Sequence, residues 1–416
     1  MALLSNEPIA RGISEAALAA SIERSGEGSI PVRARYEALA RFAALPASEF
    51  ARPGRSWKHD LAKLDFSALV PFDPQGHAAH NGIAPALPPA GVTVEPFSRA
   101  RADHRAAFEA AFGRALDAGD DKFASLAVAF QNQGTFVDLA AGVQLDVPIV
   151  LSYEARGDAA CFPYTLVHVG VGARATVLER LEGGPAGAFY CGLTEIVVEE
   201  RGRLAYAVVQ RTGSQARTIF TRRASLAADA TLELAVAELG GEHAVSRIRV
   251  AENAAGSSAA LTALFFSDGR QHVDLATEIV HVMGNTQSQT HVRSAGTDHG
   301  QGRYFGNIKI LASAHGADAL LRDNALLLSP DAHIDSVPAL EIAANDVKAF
   351  HGATVGAISE DELFYAQSRG ITRADAERMI ALGFFEPAVV RFPGEGLRDE
   401  LRASLAAKLS QRIAPA

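Results

Sequence analysis

Hydrophobic and polar positions follow three different patterns along the 416-residue chain, and these patterns divide it into three regions. Residues 1–125 show mainly helical spacing, most clearly in Val32–Leu45, which is also rich in good helix formers. Pro46 follows at once and is expected to end that helix. A second Ala-rich pattern of the same kind covers Ser98–Leu116. The first region is therefore predicted to be mainly helical.

Residues 126–356 change to short runs in which Val, Ile, Leu, Thr and Phe alternate with polar residues, as in β-strands. The clearest runs are 231–237, 247–250, 260–266, 277–282, 289–293, 306–311 and 339–343. Gly, Asn and Asp separate the runs, and no long helical pattern interrupts them. A protein with so many strands must pair or cover the exposed edges of its sheets. A sandwich, a barrel and a β-solenoid are the alternative folds that do so. No strict sequence repeat selects among the three.

Residues 357–416 return to helical spacing and are predicted to form a C-terminal helical domain. Ser359 and Glu362 have the spacing of a capping box, and Gly370 is suited to end the helix that they begin. Thr372 opens a further helix, which Gly383 is expected to end.

The last predicted helix carries one apolar stripe with charged residues around it. The stripe consists of Leu397, Leu401, Leu405, Leu409 and Ile413. It can either pack against the rest of the chain or serve as a docking surface for a partner, and the pattern alone does not decide between these two interpretations.

Composition limits the classes of function. The net charge is −9 and no Lys/Arg-rich run occurs, which argues against nucleic acid as a partner. The two cysteines, Cys161 and Cys191, fit no disulfide framework and are interpreted as small buried residues in a reducing compartment. The N-terminus lacks a signal-peptide pattern, and no apolar stretch approaches the ~20 residues that span a bilayer. A cytoplasmic location without membrane contact is expected.

The motifs of common enzyme classes are absent. We find no phosphate-binding loop, no dinucleotide-binding glycine motif, no nucleophile elbow and no zinc-binding His-Glu-x-x-His helix. These absences favour a protein that is not an enzyme. A polysaccharide-processing enzyme built on a β-solenoid is the alternative, but such enzymes are usually exported.

Histidine distribution is the most distinctive chemical feature. Seven of the thirteen histidines lie between residues 272 and 351: His272, His281, His291, His299, His315, His333 and His351. Three of them have a carboxylate nearby in sequence, in the pairs His272/Asp274, Asp298/His299 and His333/Asp335. Imidazole and carboxylate together suit iron or zinc, although strand histidines more often face solvent or bond the backbone.

His351 has the setting that most favours a metal-binding role. It lies in Asn345–Gly356, where the strand pattern gives way to helices, and Gly352 and Gly356 allow tight turns there. Functional residues often collect at such junctions.

At this point residues 260–385 resemble the SufB/SufD family of iron–sulfur cluster assembly scaffolds. Four motifs carry the resemblance: His281-x-x-x-x-Thr286-x-Ser288, Gly302–Ile308, Pro338–Ile342 and, most specifically, Asp346-Val-Lys-x-x-His-Gly-Ala-Thr-Val-Gly356. Weaker support comes from Arg55–Lys58, and from Gly142–Pro148, which is similar to the family's first β-helix strand. The His-Gly-Ala-Thr-Val-Gly form and the scarcity of cysteine are closer to SufD than to SufB.

The resemblance implies a right-handed parallel β-helix flanked by helical regions, acting as a non-catalytic scaffold. It implies pairing with a SufB-like subunit through the β-helices, with a homodimer possible for the isolated chain. Each C-terminal helical domain would hold a SufC-like ATPase, with Phe364, Tyr365, Arg369 and Gly370 as the candidate docking region. The chain alone would hold no stable cofactor; iron or a cluster would be present only transiently at the subunit interface, with His351 as a ligand.

One position departs from the family pattern. Members often have cysteine two residues before this histidine, where this chain has Ala349. A thiolate is therefore absent on this side, and His351 would act as a single ligand at a shared site. A purely structural subunit without a metal role remains the alternative.

Overall fold

The computed structural model describes residues 12–25, 29–45, 64–71, 82–84, 88–116, 121–155 and 160–411. Eight helices are described: α1 Glu15–Ser25, α2 Val32–Ala44, α3 Phe97–Asp103, α4 Arg105–Ala111, α5 Lys122–Phe130, α6 Glu360–Ser368, α7 Arg373–Val389 and α8 Glu395–Gln411. In this part of the chain, no helix is both long enough and apolar enough to cross a membrane.

Eighteen strands are described in the same residues. They are β1 Gly82–Ala84, β2 Val92–Pro96, β3 Gln133–Leu139, β4 Ile149–Tyr153, β5 Pro163–Val169, β6 Arg174–Gly183, β7 Phe189–Val198, β8 Arg203–Thr212, β9 Arg217–Leu226, β10 Thr231–Glu238, β11 His243–Glu252, β12 Ser258–Ser267, β13 His272–His281, β14 Gln287–Gly296, β15 Gln301–Ile310, β16 Asp318–Leu327, β17 His333–Ile342 and β18 Lys348–Ala357. All seven strand runs identified from the alternating pattern fall on these strands.

Successive strands alternate between two sheets of nine strands each. Sheet I has the order β1-β4-β6-β8-β10-β12-β14-β16-β18, and sheet II has the order β17-β15-β13-β11-β9-β7-β5-β3-β2. From β3 onwards every strand pair is parallel, so that each strand pairs with the strand two positions later in the chain. This is a parallel β-helix with helices at both ends, and it confirms the fold class that the resemblance implied.

The corners between the sheets contain a repeat that no sequence motif had revealed. One residue with positive φ occupies the same corner in successive turns, about 29 residues apart: Gly142, Gly172, Arg201, Asp229, Gly256, Asn285 and Gly316. Except for Gly256, each donates its backbone N–H to a carbonyl of the next turn at 2.8–3.1 Å. Glycine, asparagine and aspartate tolerate this conformation best, so their spacing is the signal that identifies the coil.

The core of the β-helix lies between the two sheets. Alternate side chains point inward and stack in columns, as in Tyr206, Leu234 and Leu261, which are directly paired across β8, β10 and β12. Both cysteines are buried and unpaired, as their isolation in sequence had suggested.

The N-terminal end of the β-helix is covered. Strands β1 and β2 run antiparallel to β4 and β3, so the parallel ladder stops there. Helix α5 is buried along its whole length and packs with α2 against sheet II. Its N-cap, Asp121, accepts hydrogen bonds from Thr221 and Arg247 on the sheet.

The C-terminal helices pack on the outer face of sheet I. Leu397, Leu401, Leu405 and Leu409 of α8 are all buried in a cluster with residues of β8, β10 and β12. Arg180 of β6 forms a bidentate ion pair with Glu400 at 2.6 and 2.7 Å. The apolar stripe therefore packs against the chain itself, and its interpretation as a partner-docking surface is wrong for these four leucines. Ile413 lies outside the described residues.

Local sequence signals were right at some helix ends and wrong at others. Gly370, at φ +84°, ends α6 in a Schellman motif, in which Ile371 donates its N–H to Ala366. Thr372 caps α7 as expected. Ser359 precedes α6 but makes no side-chain capping bond. Helix α7 runs past Gly383, because Phe385 and its neighbours are buried against sheet I and this packing outweighs the low helix propensity of glycine.

Two N-terminal motifs gave weaker support to the family resemblance. Gly142–Pro148 forms a corner with one isolated bridge between Gln144 and Arg174, and the strand β4 begins only at Ile149, so the assignment of this motif to a strand is wrong. Glycine at 142 supplies the positive φ of the corner. Arg55–Lys58 lies outside the described residues.

Substitution Leu401→Ala tests the packing of α8. Leu401 is fully buried, so we expect the free energy of unfolding of the C-terminal helices to fall by about 2–5 kcal/mol. Urea denaturation together with hydrogen exchange along α8 would measure this decrease in stability. Met379→Ala, at a half-exposed position of α7, is the matched control and should change stability by less than about 0.5 kcal/mol. Equal effects of the two substitutions would contradict this packing.

Candidate functional site

The last turn of the β-helix is open. Strand β18 pairs only with β16, and β17 pairs only with β15, so each sheet ends in a strand with one free edge. Four large apolar side chains on these strands are about half exposed: Val337, Ile342, Phe350 and Val355. Unpaired backbone groups and exposed apolar side chains together are typical of a surface that a partner covers.

His351 lies on β18, directly beside Leu321 of β16. Leu321 is fully buried in the core, and side chains in register on parallel strands point to the same side of the sheet. The imidazole of His351 therefore faces the interior of the β-helix at its open end. It is partly buried, and its Nδ1 atom is shielded from solvent without a hydrogen-bond partner.

Ala349 shares the inward side of β18 with His351, because residues two apart on a strand face the same way. It is partly buried and packs against the core. A cysteine at this position would point the same way as the imidazole. The alanine leaves the histidine as the one conventional metal ligand on the inward side of β18.

A buried carboxyl group lies one turn below this open end. Asp323 of β16 is 1 % exposed and, like Leu321, faces the interior. It accepts a hydrogen bond from Ser336 of β17, and its Oδ1 atom has no partner. Burial raises the pKa of Asp323 to about 6, and the bond from Ser336 opposes that rise. Sequence reasoning missed this residue, although a charged residue at an inward position of the alternating pattern is a detectable signal.

The seven histidines are spread along the β-helix. His333 contacts Asp335 at 2.9 Å, as their spacing predicted, and His315 contacts Asp346 at 2.7 Å. Asp274 binds Arg303 instead, and the nearest carboxylate to His299 is that of Asp331. Within the described residues, no group of three or more His, Cys, Asp or Glu side chains is arranged to hold a metal ion.

His281 has a structural role. It is fully buried, with Nδ1 2.6 Å from Glu252 and 2.8 Å from the hydroxyl of Thr286, and Nε2 2.9 Å from the hydroxyl of Ser288. Burial raises the pKa of Glu252, and the hydrogen bond with His281 partly opposes that rise. The network joins the end of β13 in sheet II to the start of β14 in sheet I, which accounts for the His-x-x-x-x-Thr-x-Ser spacing.

The predicted docking residues form an exposed surface on α6. Phe364 is 73 % exposed and Tyr365 62 % exposed, whereas Leu363 and Ala366 on the other side of the helix are buried. Arg369 lies over the ring of Tyr365, 5.3 Å from its centre. No other element of the described chain covers these two adjacent aromatic side chains. Such exposure is unusual on a protein surface, and aromatic residues are enriched in interfaces.

The fold and its open end define a class of protein, namely a parallel β-helix scaffold with an interior-facing histidine at an uncovered edge. Residues 152–384, more than half of the chain, match the family model of the SUF system FeS cluster assembly SufBD core domain. The chain belongs to the SufBD family, which is involved in iron–sulfur cluster assembly.

Relatives from several bacteria agree with this membership. The chain is 23 % identical to an iron–sulfur cluster assembly SufBD family protein of Staphylococcus saprophyticus over 337 residues, covering 80 % of this chain and 72 % of the relative. It is 23 % identical to the iron–sulfur cluster assembly protein SufB of Bacillus subtilis, with the same coverage. A Mycobacterium leprae SufBD family protein is 25 % identical over 264 residues, covering 63 % of this chain and 30 % of the relative.

Asp323→Asn tests the buried carboxyl group. The pKa of Asp323 is about 6 when folded and 3.8 without burial, so the folded state retains the proton more strongly and stability falls as pH rises between these values. At pH 8 we expect the substitution to stabilise the protein by roughly 2–3 kcal/mol, and at pH 3 to change it little. Urea denaturation from pH 3 to pH 8 measures this difference. A constant effect of the substitution across this range would contradict an ionised, poorly solvated Asp323.

Proposed function

We propose that this protein is the SufD-type, non-catalytic scaffold subunit of a SufB–SufC–SufD-type complex that assembles iron–sulfur clusters in the cytoplasm. The observation that carries the proposal is the position of His351, which faces the interior at the one open end of the β-helix, among half-exposed apolar residues. The His-Gly-Ala-Thr-Val-Gly form favours SufD over SufB. The burial of both cysteines also favours SufD over SufB, since a buried thiol is a poor acceptor for iron or sulfur.

A SufB-like subunit is the proposed partner at the open end. Backbone N–H and C=O groups on the free edges of β17 and β18 can pair with the edge strands of a second β-helix. The apolar side chains beside them would be buried in the same step. A second copy of this chain could cover the same surface in isolation, which supports a homodimer as the form without SufB.

In that complex His351 would bind iron, the substrate of assembly, from the SufD side. A neutral imidazole is a good iron ligand, and Nδ1 of His351 lacks a competing hydrogen bond. One histidine and no thiolate cannot complete an iron site, so the partner would supply thiolate or carboxylate ligands.

The proposed partner at α6 is a SufC-like ATPase. Phe364, Tyr365 and Arg369 provide two aromatic anchors and a charge on one exposed helix face, a combination common at binding hot spots. Helix α6 follows β18 directly, with only two residues between them. Movement of the docked ATPase would therefore be transmitted to the strand that carries His351. In this way the nucleotide state of the ATPase would affect the assembly site.

His351→Ala tests the assembly site. We expect the substituted chain to co-purify with the SufB-like subunit and the ATPase as the unsubstituted chain does, but to support little cluster formation, because the iron ligand from this side is lost. Complementation of a strain that lacks the gene, together with the iron content of the purified complex, measures this.

His299→Ala is the matched control, since His299 is an exposed histidine in the corner between β14 and β15 and not on β18. Normal cluster formation by the His351→Ala variant would exclude His351 as an iron ligand. The protein would then be interpreted as a purely structural subunit. Failure of the unsubstituted chain to bind a cysteine-bearing homologue and an ATPase would contradict the proposal as a whole.

A double substitution, Phe364→Ala with Tyr365→Ala, tests the docking surface. Both side chains are exposed, so the fold should be retained, while the affinity for the ATPase should fall by at least about tenfold, as expected when aromatic anchors are removed. Co-purification and calorimetry with the isolated ATPase measure the loss. Tyr36→Ala, at an exposed tyrosine on α2, should leave the affinity unchanged. Undiminished ATPase binding by the double variant would place the docking surface elsewhere.

A further inference from the structure

Three basic residues lie on the outer face of sheet I beside the C-terminal helices, and a fourth, Arg391, is close enough for its charge to act on His291. His291 and Arg293 lie on β14, Arg322 lies on β16 in register with His291, and Arg391 follows the end of α7. We call these four residues the arginine patch. Arg322 and Leu321 are adjacent on β16 and so point to opposite sides, which separates the arginine patch from the interior that His351 faces.

The positive charge of the arginine patch is not neutralised within the described chain. None of its three arginines lies within ion-pair distance of a carboxylate in the residues that the structure describes. Two other arginines on this face are paired, since both Arg180 and Arg211 contact Glu400. Three like charges that converge without a counter-charge are unfavourable unless an anion accompanies them.

Aromatic rings hold two of these arginines in place. The guanidinium group of Arg293 lies 4.8 Å from the ring centre of Phe384 and donates one hydrogen bond to the carbonyl of Phe384 at 2.8 Å. Arg322 lies 6.0 Å from the ring centre of Phe350. The position directly beside Arg322 on β18 is Gly352, which has no side chain, so Phe350 is the β18 side chain that lies against the guanidinium group. Fixed guanidinium groups with free N–H donors are suited to oxyanions.

His291 contributes an unused hydrogen-bonding atom between the arginines. Its Nε2 atom is buried and has no partner. The pKa of His291 is lowered to about 4, first by burial and then by the charges of Arg391, Arg322 and Arg293. The imidazole is therefore neutral at physiological pH, and the net charge of the patch comes from its three guanidinium groups.

We propose that the arginine patch is an anion-binding site for a phosphate group. A phosphate dianion presents three terminal oxygens, which matches three guanidinium groups that approach from β14, β16 and the end of α7. A single carboxylate carries too little charge and too few oxygens to occupy all three. The unused nitrogen of His291 provides a fourth polar contact. The site bridges the β-helix and the C-terminal helices, so an occupant would stabilise the packing of α7 on sheet I.

Calorimetric titration of the full-length protein with inorganic phosphate tests the proposal. We expect saturable binding at one site per chain, weakened by added salt because the interaction is ionic. Arg322→Gln and Arg391→Gln should each weaken the binding by about tenfold or more, as expected when a charged hydrogen-bonding partner is lost. Arg270→Gln, which removes the same charge from an exposed corner, should leave it unchanged.

A second measurement locates the ligand. Phosphate should shift the ring NMR signals of His291 in the unsubstituted protein, and much less in Arg322→Gln, while the thermal midpoint of the phosphate-free Arg322→Gln variant should not fall below that of the unsubstituted protein, because the substitution removes one of the like charges. A titration with ADP distinguishes whether the bound phosphate belongs to a nucleotide. If ADP binds more tightly than inorganic phosphate and both glutamine variants lose that binding, the ligand is a nucleotide-borne phosphate. If ADP binds equally or more weakly, the ligand is free phosphate. Absence of saturable phosphate binding, or binding that both glutamine variants retain, would overturn the proposal.

Discussion

The free edges of a parallel β-helix constrain everything else in this molecule. A coil of parallel strands cannot close on itself, so its first and last turns each expose unpaired backbone groups. At the N-terminal end, two antiparallel strands and a layer of helices cover the coil. At the C-terminal end β17 and β18 are uncovered, and half-exposed apolar residues lie on both. The asymmetry between the ends determines where a partner can bind.

The candidate assembly site and the interface are the same feature of the fold. His351 points inward, but it does so on the last strand, where the interior opens to whatever covers that end. A histidine at the equivalent position of an earlier turn would be sealed in the core, as His281 is, and would only stabilise the coil. An inward-facing histidine can therefore be exposed only at the end of the β-helix, which would link the proposed metal binding to the proposed subunit pairing.

The C-terminal helices differ in how much of their apolar surface the rest of the chain buries. Helix α8 buries its leucines on sheet I and is tied to it by Arg180 and Lys408, so it belongs to the scaffold. Helix α6 buries only one side and leaves Phe364 and Tyr365 exposed. The arginine patch lies between these parts, where the end of α7 meets the outer face of β14 and β16, so that a bound anion would affect the same helical unit.

Much of the architecture follows from the sequence alone. Period-two alternation identified the strand region and seven of its strands, and helical spacing identified most helices, because these signals depend on local backbone geometry. The motif around His351 indicated the family. The roles of individual side chains required the tertiary structure. Only the register of neighbouring strands shows that His351 faces inward, that Asp323 shares the inward side of β16 with Leu321, and that His291 and Arg322 lie side by side on the outer face. Packing also decided that the leucine stripe of α8 is buried and that α7 continues past Gly383, since contacts between distant segments outweigh local preference.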